Sequence, residues 1–199
     1  LSAMGMESLS AISGMRSDGV PAGVFGCWRT GLTETWCSKP QQQLSAQERD
    51  ELRHRVQQAK AQRDQEQAQR QQTAQQTALE RWNAAWLAVF HPYCKAKGIQ
   101  PYGLRTERDA TLLVPMEGAD GVLYSLQTIA PDGTKRFLAG GRVRGCFHAI
   151  GTLGKALVVC EGMATGRSIH ECTGLAVAAA FSAGNLAPVA HALRQRDLV

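Results

Sequence analysis

The chain has 199 residues, with 22 Lys and Arg against 17 Asp and Glu, a formal net charge of +5 and 44% hydrophobic residues. This is the composition of an ordinary globular protein with material for one or two cores. No apolar run approaches the roughly 18 residues of a membrane span, and no basic flank with an apolar block opens the chain, so a bacterial cytoplasmic protein with no membrane partner is expected.

Residues 1–43 read as a small β-rich segment. In "DGVPAGVFGCWRTGLTETWCSKP", Asp18-Gly19 and Thr30-Gly31 supply turn chemistry, and Val24, Phe25, Trp28 and Trp36 supply apolar matter for short strands. The segment is too small to stand alone. The chain opens without Met, and its first dozen residues read as the interior of something longer or as a cloning remnant, so an earlier N-terminus is expected.

Residues 44–90 change abruptly to Gln, Ala, Arg and Glu. Ser45 and Glu48 form a capping box, which predicts a helix starting near Ala46. Leu52, Val56 and Ala59 make a thin stripe that fades by Arg63, which argues for a solvent-exposed helical arm rather than a long coiled coil, with weak self-association or disorder as the competing outcomes. Leu79, Trp82, Trp86 and Phe90 then recur at helical spacing, so the end of the arm is expected to pack on the next domain until Pro92 breaks it.

Residues 91–154 begin with a short helix, Tyr93 to Lys97, closed by Gly98. "TLLVPM" and "GVLYSLQTI" read as strands joined by the hairpin "EGADG". The turn "APDGT" leads to "KRFL", and the basic loop "AGGRVRG" leads to "GCFHAI". Residues 155–199 then alternate: strand "KALVVC", helix "ATGRSIHEC", strand "GLAVAAAF" and a helix from Leu186 to Arg196. This pattern predicts an α/β fold with a parallel sheet covered by helices on both faces.

Chemistry concentrates in two places. Ligands gather at the carboxyl ends of parallel strands, where helix N-termini converge. Glu161 sits at one such end, followed by Gly162, and Ser182, Ala183, Gly184 and Asn185 sit at the next. Local pattern leaves two roles for Glu161 open: a metal-binding carboxylate, or an acid at the positive end of the following helix dipole. "GMATGRS", with Gly162, Gly166 and Ser168, approximates a P-loop, but it is one residue short and has Arg167 in place of the lysine that reaches phosphates.

The second place is basic. The 81–199 stretch carries 13 bases against 8 acids, whereas residues 1–80 are balanced. Lys135, Arg136, Arg142 and Arg144 fall within ten residues with no acid between them, around Gly140 and Gly141. Such a loop suits a phosphate backbone or a triphosphate, and the alternative is a hairpin edge that its charges keep from aggregating. The six cysteines (Cys27, Cys37, Cys94, Cys146, Cys160, Cys172) form no C-x-x-C pair, and Cys27, Cys37, His91 and Cys94 match no standard zinc spacing, so zinc is not expected within this chain.

With these residues in view, "LVVCEGMATGRSIHECTGLAVAAAFSAGNL" resembles the opening of a Toprim domain, the nucleotidyl-transfer and strand-cleavage module of bacterial-type primases and several topoisomerases. Its first strand ends in Glu-Gly and its second in a small-residue turn. "LLVPMEGADGVLYSLQTIAPDGTKRFLAGGRVRGCFHAIG" is similar to the subdomain preceding Toprim in primases of phages, plasmids and mobile elements, and "GVPAGVFGCWRTG" to a segment upstream in the same proteins.

The resemblance implies an incomplete Toprim-like parallel sheet with flanking helices, preceded by a small β-rich subdomain and a long polar helix. It implies a DNA primase making short RNA primers on single-stranded DNA from nucleoside triphosphates, with a replicative helicase as a further partner. Glu161 matches the family's metal-site carboxylate or general base, Lys135, Arg136, Arg142 and Arg144 the residues facing template or nucleotide, and Gly162, Gly166, Gly184 and Asn185 shape the site. Joining two nucleotides calls for Mg²⁺ (or Mn²⁺) to orient the triphosphate and lower the pKa of the attacking hydroxyl.

One departure stands out. Toprim domains carry a D-x-D pair after their third strand, whereas here only Asp197 follows Gly184. The sequence is expected to be a fragment cut before that strand, inactive alone, whose metal requires aspartates beyond Val199. The alternative is a naturally shortened relative, a non-catalytic nucleic-acid-binding or scaffolding module of a replication protein.

Overall fold

The structure is a computed structural model that describes residues 9–13, 22–27, 32–37, 45–154 and 156–195. The chain divides into two compact units, Leu1–Asp64 and Gln65–Val199.

The first unit contains an antiparallel sheet of β1 (Leu9–Ser13), β2 (Ala22–Cys27) and β3 (Leu32–Cys37) in that order, with Leu9 opposite Cys27 and Ala22 opposite Cys37. The turns expected at Asp18-Gly19 and Thr30-Gly31 lie outside the described residues, as do Trp28 and Asp197.

Helix α1 (Ala46–Ala84) starts where its capping box places it. The Ser45 N–H donates to Glu48 Oε2 at 2.8 Å and the Glu48 N–H to Ser45 Oγ at 3.2 Å, satisfying two amides that have no partner within the helix. Its exposed length is mostly polar, apart from the thin stripe of Leu52, Val56 and Ala59, and carries ion pairs one turn apart, Glu51–Arg55 and Glu66–Arg70 among them.

The spacing of Leu79, Trp82, Trp86 and Phe90 predicted a longer helix, and here the structure differs. α1 ends at Ala84, and Trp86–Leu87 form strand β4. Leu79, Trp86 and Phe90 are exposed, and the face that packs is Ala74 and Ala78, with Trp82 half-buried beside them. Small alanines let the helix backbone approach the sheet, an option that a search for large apolar residues does not find.

Within Gln65–Val199, β4 opens a five-stranded antiparallel sheet, followed by β5 (Arg105–Thr106), β6 (Leu112–Glu117), β7 (Leu123–Ile129) and β8 (Lys135–Phe137) in that spatial order. Between β4 and β5, α2 (Pro92–Lys97) is capped by His91, whose Nδ1 accepts the Tyr93 N–H, and is closed by Gly98 at φ 66°. His91 Nε2 meets Ala110 O at 2.9 Å, so this histidine is spent on two backbone contacts.

The predicted hairpin at "EGADG" forms, and the turn "APDGT" closes a second one. In the first, Asp120 Oδ1 accepts the Val122 N–H, and in the second Asp132 Oδ1 accepts the Thr134 N–H, aspartate in each case folding its own turn. Strand alternation divides β6 between two cores: Leu113 packs under α1 with Ala78 and Leu126, while Leu112 and Val114 face the larger cluster with Ile129, Leu104 and Val177.

The second sheet of this unit has the order β10 (Leu157–Cys160), β11 (Ala176–Ala179), β9 (His148–Ile150). β10 and β11 are parallel and joined by α3 (Met163–Thr173), as the strand–helix–strand pattern implies. β9 runs antiparallel to β11, so the sheet is mixed and not the purely parallel one expected.

Helices cover both faces. Met163 of α3 packs with Val177 and Ala179, while Val189 and Leu193 of α4 (Leu186–Gln195) pack with Ala178, Ala180 and Phe147. Gly166 lets α3 lie close, since a Cβ there would stand 2.9 Å from Ile150 Cδ1 and 3.1 Å from Cys160 Sγ. No described helix is long and apolar enough to cross a membrane.

Candidate functional site

The carboxyl ends of β10 and β11 lie side by side because their ladder continues past both strands. The Ala180 N–H donates to Cys160 O at 2.8 Å and the Phe181 N–H to Glu161 O at 2.7 Å. Glu161 is exposed, and its carboxylate has no hydrogen bond or ion pair among the described residues. Gly162 is the N-cap of α3, in extended conformation at φ −105°, so no side chain closes that helix start.

Phe181 is the residue that sequence reasoning missed. It holds φ +69°, a left-handed conformation that a bulky side chain adopts only under constraint. Its ring meets Phe137 edge-on, with centroids 6.1 Å apart at 84°, and so draws β8 to the rim that bears Glu161. No local sequence signal marks a positive φ at a phenylalanine.

The basic residues are separated by this geometry. Alternation along β8 puts Lys135 on the face of Phe137 and Arg136 on the other. The Lys135 ammonium stands 4.9 Å from the centre of the Tyr93 ring, whereas Arg136 is exposed, with its carbonyl accepting the Thr128 hydroxyl at 3.2 Å. Arg142 stacks over Tyr124 at 4.3 Å and donates from Nε to Arg144 O at 3.3 Å, while Arg144 is exposed. Tyr124 in turn donates to Asp120 Oδ2 at 2.6 Å, a bond that leads the effects holding the Asp120 carboxyl below its usual range.

Asn185 ties the rim to this basic loop. The turn Ala183–Asn185 follows β11, and the Asn185 side chain is buried. Its Oδ1 accepts the Gly145 N–H at 2.8 Å, and its Nδ2 faces the carbonyls of Val143 at 3.1 Å, Cys146 at 2.9 Å and Ala180 at 2.9 Å. Gly184 is exposed, and a Cβ there would meet nothing within 4 Å.

Arg167, the residue in the place of a P-loop lysine, is turned inward. It is 8% exposed and donates from NH2 to Tyr102 O, with the same nitrogen 3.5 Å from His148 Nε2. A guanidinium only donates, so His148 Nε2 is the acceptor and Nδ1 carries the proton. Burial, reinforced by Arg167, pushes the His148 pKa from 6.5 down to about 3. Arg167 therefore braces α3 against residues 102 and 148 and presents nothing to a phosphate.

The donor set for a metal is incomplete. Among the described residues no group of three or more His, Cys, Asp or Glu side chains could hold an ion. Glu161 alone does not amount to a divalent-cation site, which needs several oxygen ligands around the ion.

Comparison with known proteins gives a consistent answer. No family model matches the chain, and no solved structure matches it significantly. A protein named DNA primase TraC from Escherichia coli is 38% identical over 187 residues, 90% of this chain and 13% of that protein. A second Escherichia coli protein of the same name is 33% identical over 186 residues, again 90% of this chain and 18% of the other. The chain thus spans less than a fifth of these relatives, and over that span it is similar to two proteins named DNA primase TraC.

Proposed function

We propose that this chain serves within a DNA primase that makes RNA primers on single-stranded DNA, and that it supplies one carboxylate of the nucleotidyl-transfer centre together with a basic surface for template or nucleoside triphosphate. The observation that carries the reading is the joint at Phe181. Its amide is bonded to Glu161 O and its ring meets Phe137, so an acid with no partner among the described residues and the strand bearing Lys135 belong to one rim. Homology to proteins named DNA primase supports the same class of chemistry.

In this reading β10, α3 and β11 are the opening of a Toprim-like domain. Gly162, Gly166, Gly184 and Asn185 keep the rim small and in place, and Lys135, Arg136, Arg142 and Arg144 offer cations to phosphates. Mg²⁺ or Mn²⁺ would need carboxylates beyond Val199, since Glu161 alone does not form a site. The chain by itself is then expected to bind single-stranded DNA weakly and with strong salt dependence, and to make no primer.

The test is Glu161→Gln in a full-length primase that contains this chain. Primer synthesis should be lost while single-stranded DNA binding is kept, and unchanged priming would return Glu161 to a helix-end acid. A second reading is a non-catalytic nucleic-acid-binding module. An unsubstituted full-length protein that binds single-stranded DNA but never primes would select it.

A further inference from the structure

Within Gln65–Val199, α1, the loop 141–145 and α4 enclose an open cleft of about 580 Å³. Gln67 and Gln71 line it from α1, and His191 and Gln195 line it from α4. Each pair is four residues apart and so shares one face of its helix, one turn above the other. Arg142 and Arg144 line it from the loop, and among the described residues no acidic one does.

The loop is held in place from both sides. Asn185 fixes Gly145 and the Val143 carbonyl from beneath, and Gly140 abuts α1, where a Cβ would stand 3.4 Å from Arg70 O. Arg142 is stacked on Tyr124, which fixes its guanidinium before any ligand arrives. The wall chemistry has two parts. Guanidinium groups bind phosphate in a planar fork, and amide side chains both donate and accept, as base edges and sugars require.

An open trough with Gln67 and Gln71 on one wall, and His191 and Gln195 interleaved with Pro188 and Ala192 on the other, differs from the enclosed pocket that buries a small ligand. It suits a chain of phosphates and bases.

We propose that this cleft is a track for single-stranded nucleic acid and that α1, otherwise a polar helix with no assigned role, is one of its walls. Arg142 and Arg144 hold the phosphates, and Gln67, Gln71 and Gln195 contact bases or sugars. The proposal rests on the reading that the basic loop meets nucleic acid, and it adds the helix that faces the loop.

The experiment uses the full chain and fluorescein-labelled oligothymidylates, with affinity read by anisotropy over a range of salt. Gln67→Glu with Gln71→Glu puts two like charges on the wall without lowering helix propensity. Gln69→Glu with Gln72→Glu makes the same charge change on exposed positions of α1 that do not line the cleft. Circular dichroism shows whether both variants keep their helix.

The first pair should weaken binding about ten-fold or more, and the control pair less than about two-fold. Equal effects of the two pairs, with binding lost in Arg142→Ala plus Arg144→Ala, would overturn the role of α1 and leave the basic-loop reading standing. Unchanged binding in the arginine variant as well would overturn both. Displacement of the oligonucleotide by Mg-ATP, together with an affinity independent of oligonucleotide length, would replace the track with a mononucleotide site.

Discussion

Asn185 reaches across 40 positions of sequence to Gly145, its Oδ1 accepting that amide at 2.8 Å while its Nδ2 faces three carbonyls. One buried amide thereby fastens the end of β11 to the loop that bears Arg142 and Arg144. Asn185→Ala would leave one buried N–H and up to three carbonyls short of a partner. The expected loss is roughly 2–4 kcal/mol of stability, measured by urea denaturation, with weaker oligonucleotide binding because the loop is released. A loss under about 0.5 kcal/mol would mean that water replaces the side chain fully.

Gly141 has no room for a methyl group. A Cβ there would stand 2.1 Å from Ser125 Oγ, 2.9 Å from Ser125 Cβ and 3.1 Å from the Leu138 carbonyl oxygen. Rotation of the hydroxyl relieves only the first of these. Gly141→Ala should therefore destabilise the protein by about 1–3 kcal/mol, seen as a lower Tm.

His148 makes stability depend on pH in a defined direction. Its folded pKa of about 3 lies below the ordinary 6.5, so between these values the unfolded chain takes up a proton that the folded chain refuses. Stability is thus lost as pH falls from about 6.5 toward about 3, by up to roughly 1.4 kcal/mol per pH unit. Glu117 acts oppositely: burial raises its carboxyl, so its contribution is present at low pH and lost as pH rises through its folded pKa. The difference between wild type and His148→Gln isolates the histidine, and the variant should show the flatter acid limb in urea titrations.

Arg81 at the end of α1 grips Glu107 with two hydrogen bonds, Nε to Oε1 at 2.9 Å and NH2 to Oε2 at 2.6 Å. The pair is about three-quarters buried on the acid side, with Glu107 25% and Arg81 31% exposed, and the bond to Glu107 raises the Arg81 pKa. Arg81→Ala or Glu107→Gln should cost about 1–2 kcal/mol. A double-mutant cycle should return most of that as coupling, and little of it should vanish at high salt.

Glu161→Gln should leave stability within about 0.5 kcal/mol of wild type, because an exposed side chain with no bond among the described residues has little structural work to lose. Matching melting curves would make any loss of priming in the full-length protein a functional effect.

The sequence by itself determined what is written within a few residues. The Ser45–Glu48 box set the start of α1, Asp120 and Asp132 folded the two hairpins, Gly98 stopped α2, and two apolar strands around a helix implied a parallel pair ending at Glu161. Each is local because its hydrogen bonds or its periodicity close over two to four positions. Only the tertiary structure decided which faces meet. It ended α1 at Ala84 by giving Trp86–Leu87 to the sheet, and it paired β9 antiparallel with β11. It buried Arg167 against His148, strained Phe181 against Phe137, and joined Asn185 to Gly145. Those outcomes depend on contacts between residues 19 to 44 positions apart, whose free energy arises only when distant elements exclude water from one another, and no short-range pattern encodes that.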